Sequence, residues 1–304
     1  MIKSVIVTNH LGQSLKLELE FPEKSGFAIR EITGLGPCKA DINFTELSTA
    51  DGSIYNSARV NSRNIVISLK FLEKPTIEAT RRLSYKMFPI KKRIKLLIET
   101  DIRSYETYGN VESNEPSIFS NDSGTDISIM CPYPYFYSTG DGGSTITIFS
   151  GIESTFTFPF SNESLAEDKI AIGSIVINQE QNVYYAGESE IGILIYIHAI
   201  GSVTNLTIYN SMTREVMRLD TDKLTILTGS GIISGDDLII STVRGDKFIK
   251  LLRDGEYTNI LNCLDRDSDW FELTKGDNIF AFTADTGSTN LQFRIENRTI
   301  FEGV

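Results

Sequence analysis

The sequence predicts an all-β protein built from two sandwich domains, and three observations predict it. Apolar and polar residues alternate with period two through most of the 304 residues, the pattern of half-buried strands. Only one stretch, between Pro75 and Pro89, repeats at helical spacing. The charge balance breaks near residue 135: residues 1–135 carry 17 Lys and Arg against 16 Asp and Glu, and residues 136–304 carry 12 against 24. At roughly 100–200 residues per domain, the length suits two domains.

The elements follow in order. SVIVTN (4–9) and SLKLELEF (14–21) read as strands joined by HLGQ, where Gly12 eases a tight turn. ITGLGPC (32–38) has two glycines and a proline and reads as a loop, and DGSIYNSA (51–58) opens on an Asp-Gly turn signal. In RNIVISLKFL (63–72), Ile65, Ile67, Leu69 and Phe71 point one way. Ile77, Thr80, Leu83/Ser84 and Met87/Phe88 then recur at helical spacing, with Pro75 suited to a first turn and Pro89 unable to continue the helix. RIKLLIET (93–100) returns to strand. Beyond residue 140 the chain reads as strands almost throughout: STITIFS, STFTFPFS, KIAIGSIVIN, IGILIYIHAI, NLTIYNS, LTILTG, DLIISTV, KFIKLL, IFAFTA, LQFRIEN and RTIFEGV. Short turn signals such as LTGSG, VRGD and TKGDN separate them, as in an antiparallel sandwich.

Composition excludes several classes of function. The net charge of −11, concentrated in the second half, argues against a nucleic-acid or anionic-membrane partner, because phosphate attraction needs a basic face. No apolar run approaches the ~18 residues of a membrane span. The opening MIKSVIVTNHLGQ has an apolar run of only Val5–Val7, too short for a signal-peptide core, so the expectation is a protein made in a cytosol. Cys38, Cys131 and Cys263 are odd in number and widely spaced, which reads as free thiols rather than a disulfide framework or zinc site. His10 and His198 have no nucleophile signature beside them, and GLGPC lacks the Gly-Lys-Ser/Thr ending of a phosphate loop. Asp265, Asp267 and Asp269 imitate the start of a calcium loop, but Trp270 stands where that loop needs Gly and Gly276 where it needs Glu. No catalytic residue, cofactor or metal is expected.

CPYPYFYS (131–138) packs two prolines, three tyrosines and a phenylalanine into eight residues. Pro132 and Pro134 impose extended geometry, and the aromatic rings supply apolar area with polar tips. It reads as the corner that closes a first domain, 1–138, before a second, 139–304. ITGLGP, DGSIYNSARVNSRNIVISLKF, RRLSYKMFP, KKRIKLLIETD, RSYETYGNVESNEP and CPYPYFYS, taken in this order, resemble the phage distal tail protein (Dit) family. DWFELTKGDNIFAFTADTG (269–287) is similar, more loosely, to the last hairpin of the family's galectin-like domain.

The resemblance implies a structural protein of the virion tail tip, made in the bacterial host cytoplasm. It implies an N-terminal domain that assembles as a homohexameric ring joining the tail tube protein to the tail-tip hub protein. A galectin-like jelly-roll domain would project outward and, as in some members of the family, hold receptor-binding proteins. The family's aromatic hairpin falls near residues 103–116, where a protruding hairpin is expected, and Tyr105, Tyr108 and Gly109 in it are then candidates for a subunit contact. Arg81, Arg82, Lys91, Lys92 and Arg93, part of the one local basic cluster, are candidates for an electrostatic contact with an acidic neighbour. The alternative is a carbohydrate-binding adhesin acting through the second domain. The histidine there, His198, does not reproduce a galectin-like His-x-Asn pattern, and Trp270 is the candidate sugar-stacking residue.

Overall fold

The computed structural model describes residues 1–48, 51–117, 122–140, 143–154, 173–177 and 180–304, with backbone alone for 150–154 and 173–177. The expected strand STFTFPFS (154–161), apart from Ser154, and the first part of KIAIGSIVIN (169–178) lie outside these residues. The chain divides into two compact units, Met1–Gly143 with Thr299–Val304, and Ser144–Arg298.

The first unit contains β1 (Ile2–Thr8), β2 (Ser14–Glu18), β3 (Phe27–Thr33), β4 (Ala40–Glu46), β5 (Ser53–Val60), β6 (Arg63–Phe71), α1 (Ile77–Met87), β7 (Arg93–Thr100), β8 (Ser104–Pro116), β9 (Gly124–Cys131) and β10 (Phe136–Thr139). One antiparallel sheet runs β2-β1-β7-β8-β9-β6-β3, with β10 paired to β8. Its end strands β2 and β3 approach each other, so the sandwich expected here is one sheet curled over its own core. Alternation makes that core: Ile65, Ile67 and Leu69 of β6 meet Ile94, Leu96 and Ile98 of β7 and Ile127 and Ile129 of β9. α1 covers it with Met87, and Phe88 follows directly. The helix starts where the Thr76 hydroxyl accepts the Ala79 N–H at 3.2 Å, and it stops before Pro89. Ile77, expected on the buried face, is exposed in the first turn.

A protruding hairpin is present, but not at 103–116. That segment is β8, flanked by β7 on one side and by β10 and β9 on the other. Thr107, Gly109 and Val111 alternate into the interior. Gly109 is the reason β9 can lie so close: a Cβ there would stand 2.6 Å from Ile129 Cγ2 and 2.8 Å from Cys131 Sγ. The hairpin that stands apart is β4–β5, a separate two-stranded sheet.

Arg63, only 2% exposed, ties distant parts of this unit together. Its Nε donates to the Pro134 carbonyl at 2.6 Å, Nη1 to those of Gly34 and Gly36 at 2.5 and 2.6 Å, and Nη2 to that of Glu302 at 2.5 Å. The guanidinium carbon lies 4.3 Å from the centre of the Phe136 ring. Burial pushes the Arg63 pKa below its ordinary value, and burial likewise raises that of the neighbouring Cys131 thiol. Gly34 makes the arrangement possible: its φ is +82°, and a Cβ there would fall 2.0 Å from the Asn64 carbonyl oxygen.

The second unit contains β11 (Ser144–Ile148), β12 (Ser150–Ser154), β13 (Gly173–Ile177), β14 (Glu180–Tyr185), β15 (Ile191–Gly192), β16 (Leu194–Ala199), β17 (Thr204–Asn210), β18 (Glu215–Leu219), α2 (Thr221–Thr228), β19 (Asp237–Ser241), β20 (Phe248–Arg253), β21 (Glu256–Asn259), β22 (Glu272–Leu273), β23 (Gly276–Thr286) and β24 (Leu291–Arg298). A six-stranded sheet, β11-β24-β16-β19-β20-β21, packs on a four-stranded sheet, β14-β23-β17-β18. Phe282 of β23 and Phe293 of β24 stack across the sandwich at 3.9 Å, with Phe149 against both. LTILTG, expected as a strand, is the body of α2. The Asp220 carboxylate accepts the N–H groups of Asp222 and Lys223 at 2.9 and 3.2 Å, and Gly229 ends the helix at φ +83°. Arg253 holds the loop that follows, pairing Nε and Nη2 with the Asp236 carboxylate at 2.8 and 2.6 Å. The chain then returns to the first unit as β25 (Ile300–Phe301), which pairs with β10 through Phe136 and Phe301.

Two expected outcomes follow from this unit. Arg63→Met strands several buried carbonyl oxygens. Each such acceptor costs about 1–3 kcal/mol, so the loss should reach at least about 3 kcal/mol, read as a lower urea midpoint. The second concerns acid. The Ser4 hydroxyl, followed by Lys16, lowers the Glu99 pKa, and Lys70, with Arg30, lowers that of Asp122. A carboxylate depressed in the folded state stabilises above its unfolded value of about 4, and that stabilisation is lost as pH falls through the folded value. Calorimetry should show an unfolding temperature that declines as pH falls below about 4, less steeply in Asp122→Asn.

Candidate interaction surface

The ribbon β4–β5 is the most exposed ordered element of the first unit, with no buried residue in either strand. Asp51 and Gly52, with φ +97°, lie in the turn that the sequence signals. Registry places Phe44 opposite Tyr55 and Ile42 opposite Ala58, with a bulge between Asn43 and Phe44. These four residues share one face, and the two rings meet edge to face at 6.3 Å. Ile42, Phe44, Ile54 and Tyr55 are 50%, 55%, 53% and 60% exposed. The opposite face is polar except for Ile54, which pairs with Thr45: Asn43 donates to the Ser57 hydroxyl at 3.1 Å, and Asp41 lies 3.9 Å from Arg59. This is an amphipathic ribbon whose apolar face has no core beneath it. A two-stranded hairpin alone is marginal in water, and exposed apolar faces of this kind mark contact sites.

The residues singled out from the sequence fall elsewhere. Tyr105 is half-buried and packs edge-on against Phe136 and Phe301 at 6.4 and 5.6 Å. Tyr108 donates its hydroxyl to Glu106 at 2.7 Å, while the Arg93 guanidinium lies 4.6 Å from its ring. Gly109 is buried between strands. The basic cluster separates into parts. Arg81 and Arg82 both pair with Glu78, Arg82 through Nε at 3.2 Å. Lys95 pairs with the buried Glu106 at 2.5 Å. Lys91, Lys92 and Arg93 are exposed in and beside the turn before β7. Trp270, half-buried, carries the Lys247 ammonium 5.1 Å from its ring centre.

CPYPYFYS divides its rings between two environments. Cys131 and Phe136 face the core beside Arg63. Tyr133 and Tyr137 stack at 5.4 Å and 11°, with Tyr135 edge-on to Tyr133. Tyr133 and Tyr137, with Arg93, Tyr108 and Pro132, line a surface cavity of about 360 Å³. Sequence reasoning singled out the aromatic corner and missed the ribbon as the exposed apolar element. The alternation Asp41-Ile42-Asn43-Phe44-Thr45 was the available signal.

Residues 186–296 match the family described as siphovirus-type tail component, C-terminal domain. Among solved structures, the fold is similar to SPP1 Dit, described as a paradigm of the hub adsorption apparatus in phages infecting Gram-positive bacteria. That likeness has a TM-score of 0.65 at 12% identity and covers 98% of this chain and 100% of the other. The phage P2 baseplate, in its activated conformation with calcium, gives a TM-score of 0.47 at 9% identity, covering 98% and 99%. No curated protein matches the chain. The two-unit all-β fold and the family match define a structural component of a phage tail. Within that class, residues 186–296 match the C-terminal domain of the siphovirus-type tail component, and the fold of the chain is similar to that of SPP1 Dit.

Proposed function

We propose that this chain forms a six-membered ring at the tip of a phage tail, joining the tail tube protein to the tip hub protein, with no catalytic role. The amphipathic ribbon β4–β5 carries the reading. Full burial of each of its large apolar side chains would contribute about 1.5–3 kcal/mol, which favours a stable contact. A projecting ribbon that docks on a different surface of its neighbour makes a head-to-tail contact, and such contacts close into rings when the rotation allows. Lys91, Lys92 and Arg93 supply an exposed basic site of the kind an acidic neighbour recognises, and the ribbon and its turn carry Asp41, Glu46 and Asp51 against Arg59. Tyr105 and Gly109 serve the unit's own packing, so the ribbon replaces them as the proposed subunit contact. Anchoring of receptor-binding proteins by the second unit belongs to the same reading.

Light scattering across a concentration range tests it. The expected mass is that of six chains or of two stacked rings, and the double variant Phe44→Ser, Tyr55→Ser should fall to monomer. Because both side chains are exposed, its unfolding free energy should stay within about 0.5 kcal/mol of the parent. A parent chain that remains monomeric at every concentration overturns self-assembly.

A further inference from the structure

The outer face of the six-stranded sheet in the second unit holds a concavity of about 410 Å³. Ile148, Ile239 and Leu252 give it an aliphatic lining. Across it runs a polar row set by strand registry: Gln292 of β24 stands opposite His198 of β16, which stands opposite Asp237 of β19. The next row places Arg294 opposite Tyr196. His198 Nδ1 and Asp237 Oδ1 are 2.6 Å apart. With the neutral imidazole donating from Nδ1, Nε2 becomes an acceptor, and the carboxylate keeps its second oxygen for another donor.

The chemistry of these groups selects among ligand classes. Arg294 is balanced by Glu296 at 3.0 Å, which leaves the single negative charge of Asp237: this disfavours an anion and is too little to hold a strongly ionic ligand. The Arg294 guanidinium lies 4.4 Å from the Tyr196 ring centre and covers one ring face, so the site offers no bare aromatic platform on that side for a nucleobase. What remains is a mixed set of acceptors and donors, Asp237, His198 and Gln292, beside aliphatic surface. Sugar hydroxyls donate and accept at once, and the C–H faces of the ring rest on apolar side chains. Ligand pockets of about 300–1,000 Å³ bracket this volume.

We propose that this face binds a neutral saccharide, with His198, Asp237 and Gln292 as the hydroxyl-reading residues. The site is separate from Trp270 and does not depend on ring assembly. Because the concavity is open and the contacts are few, binding is millimolar.

The test is a titration of the full chain with lactose, maltose and N,N′-diacetylchitobiose into the tens of millimolar, followed by NMR. One of the three should saturate, with shifted resonances confined to residues 194–198, 237–239 and 291–294. His198→Ala and Asp237→Ala should each weaken that binding at least tenfold at unchanged unfolding temperature, and Trp270→Ala should leave it intact. Absence of saturation with all three sugars overturns the proposal, as does saturation that survives the double His198→Ala, Asp237→Ala variant. Neither result bears on the light-scattering mass, so the two readings fail separately.

Discussion

A buried cation with no carboxylate partner among the described residues is the constraint on which the first unit depends. Removing a charge from water is costly unless its hydrogen-bonding capacity is met. Arg63 meets it with four main-chain carbonyl oxygens and the face of Phe136. Those carbonyls belong to three separated stretches: the Gly34–Gly36 loop, Pro134 in the aromatic corner, and Glu302. The guanidinium therefore fixes where a loop, a corner and a terminal strand lie relative to β6. The aromatic corner acts here as a clamp on a charge, since Phe136 stacks on the guanidinium and Pro134 offers it a carbonyl. Lys could not substitute, because a point charge with three donors does not span this planar array.

The same period-two alternation has opposite fates in two neighbouring segments. In β6 it turns a row of branched side chains into the centre of a sheet. In β4 and β5 it produces a ribbon with an apolar side and a polar side, and no sheet beneath it. Bulging at Asn43 and Phe44 and the hydrogen-bonded polar face keep the ribbon regular while its aromatic face stays in water. A chain that keeps Phe44 and Tyr55 on such an element accepts an aggregation hazard that a specific partner surface removes.

Much of the fold was legible because strands with one buried face announce themselves. β6, β7, β16 and β24 fall where alternation put them, and α1 lies between its two prolines. LTILTG misled because Thr225, Ile226 and Thr228 are β-branched, strand-favouring residues, while the deciding features, the Asp220 cap and the Gly229 stop, lie at the ends of α2. Residues 103–116 misled because the resemblance placed a hairpin there, and Gly109 followed by Asn110 looks like a turn. Gly109 is instead an interior position where β9 leaves no room for a side chain. The candidate contact residues were the least legible part. Which of two alternating segments is covered depends on sheet order, and no local pattern states it. The ties that split the basic cluster, Glu78 to two arginines and Glu106 to Lys95, likewise join residues whose pairing only the fold decides.

The second unit is an insertion between two strands that lie side by side, since β10 pairs with β25 and the Thr299 N–H donates to the Gly143 carbonyl at 3.0 Å. This imposes an order on synthesis. The polypeptide for Ser144–Arg298 must be synthesised before Ile300, Phe301 and Glu302 exist, an interval on the order of ten seconds at ~5–20 residues per second. Until then Arg63 lacks one of its four acceptors and β10 lacks its neighbour. A nascent chain therefore completes its first unit only after it has made its second, and a product broken off before residue 300 reaches the assembling tail with its charge clamp open.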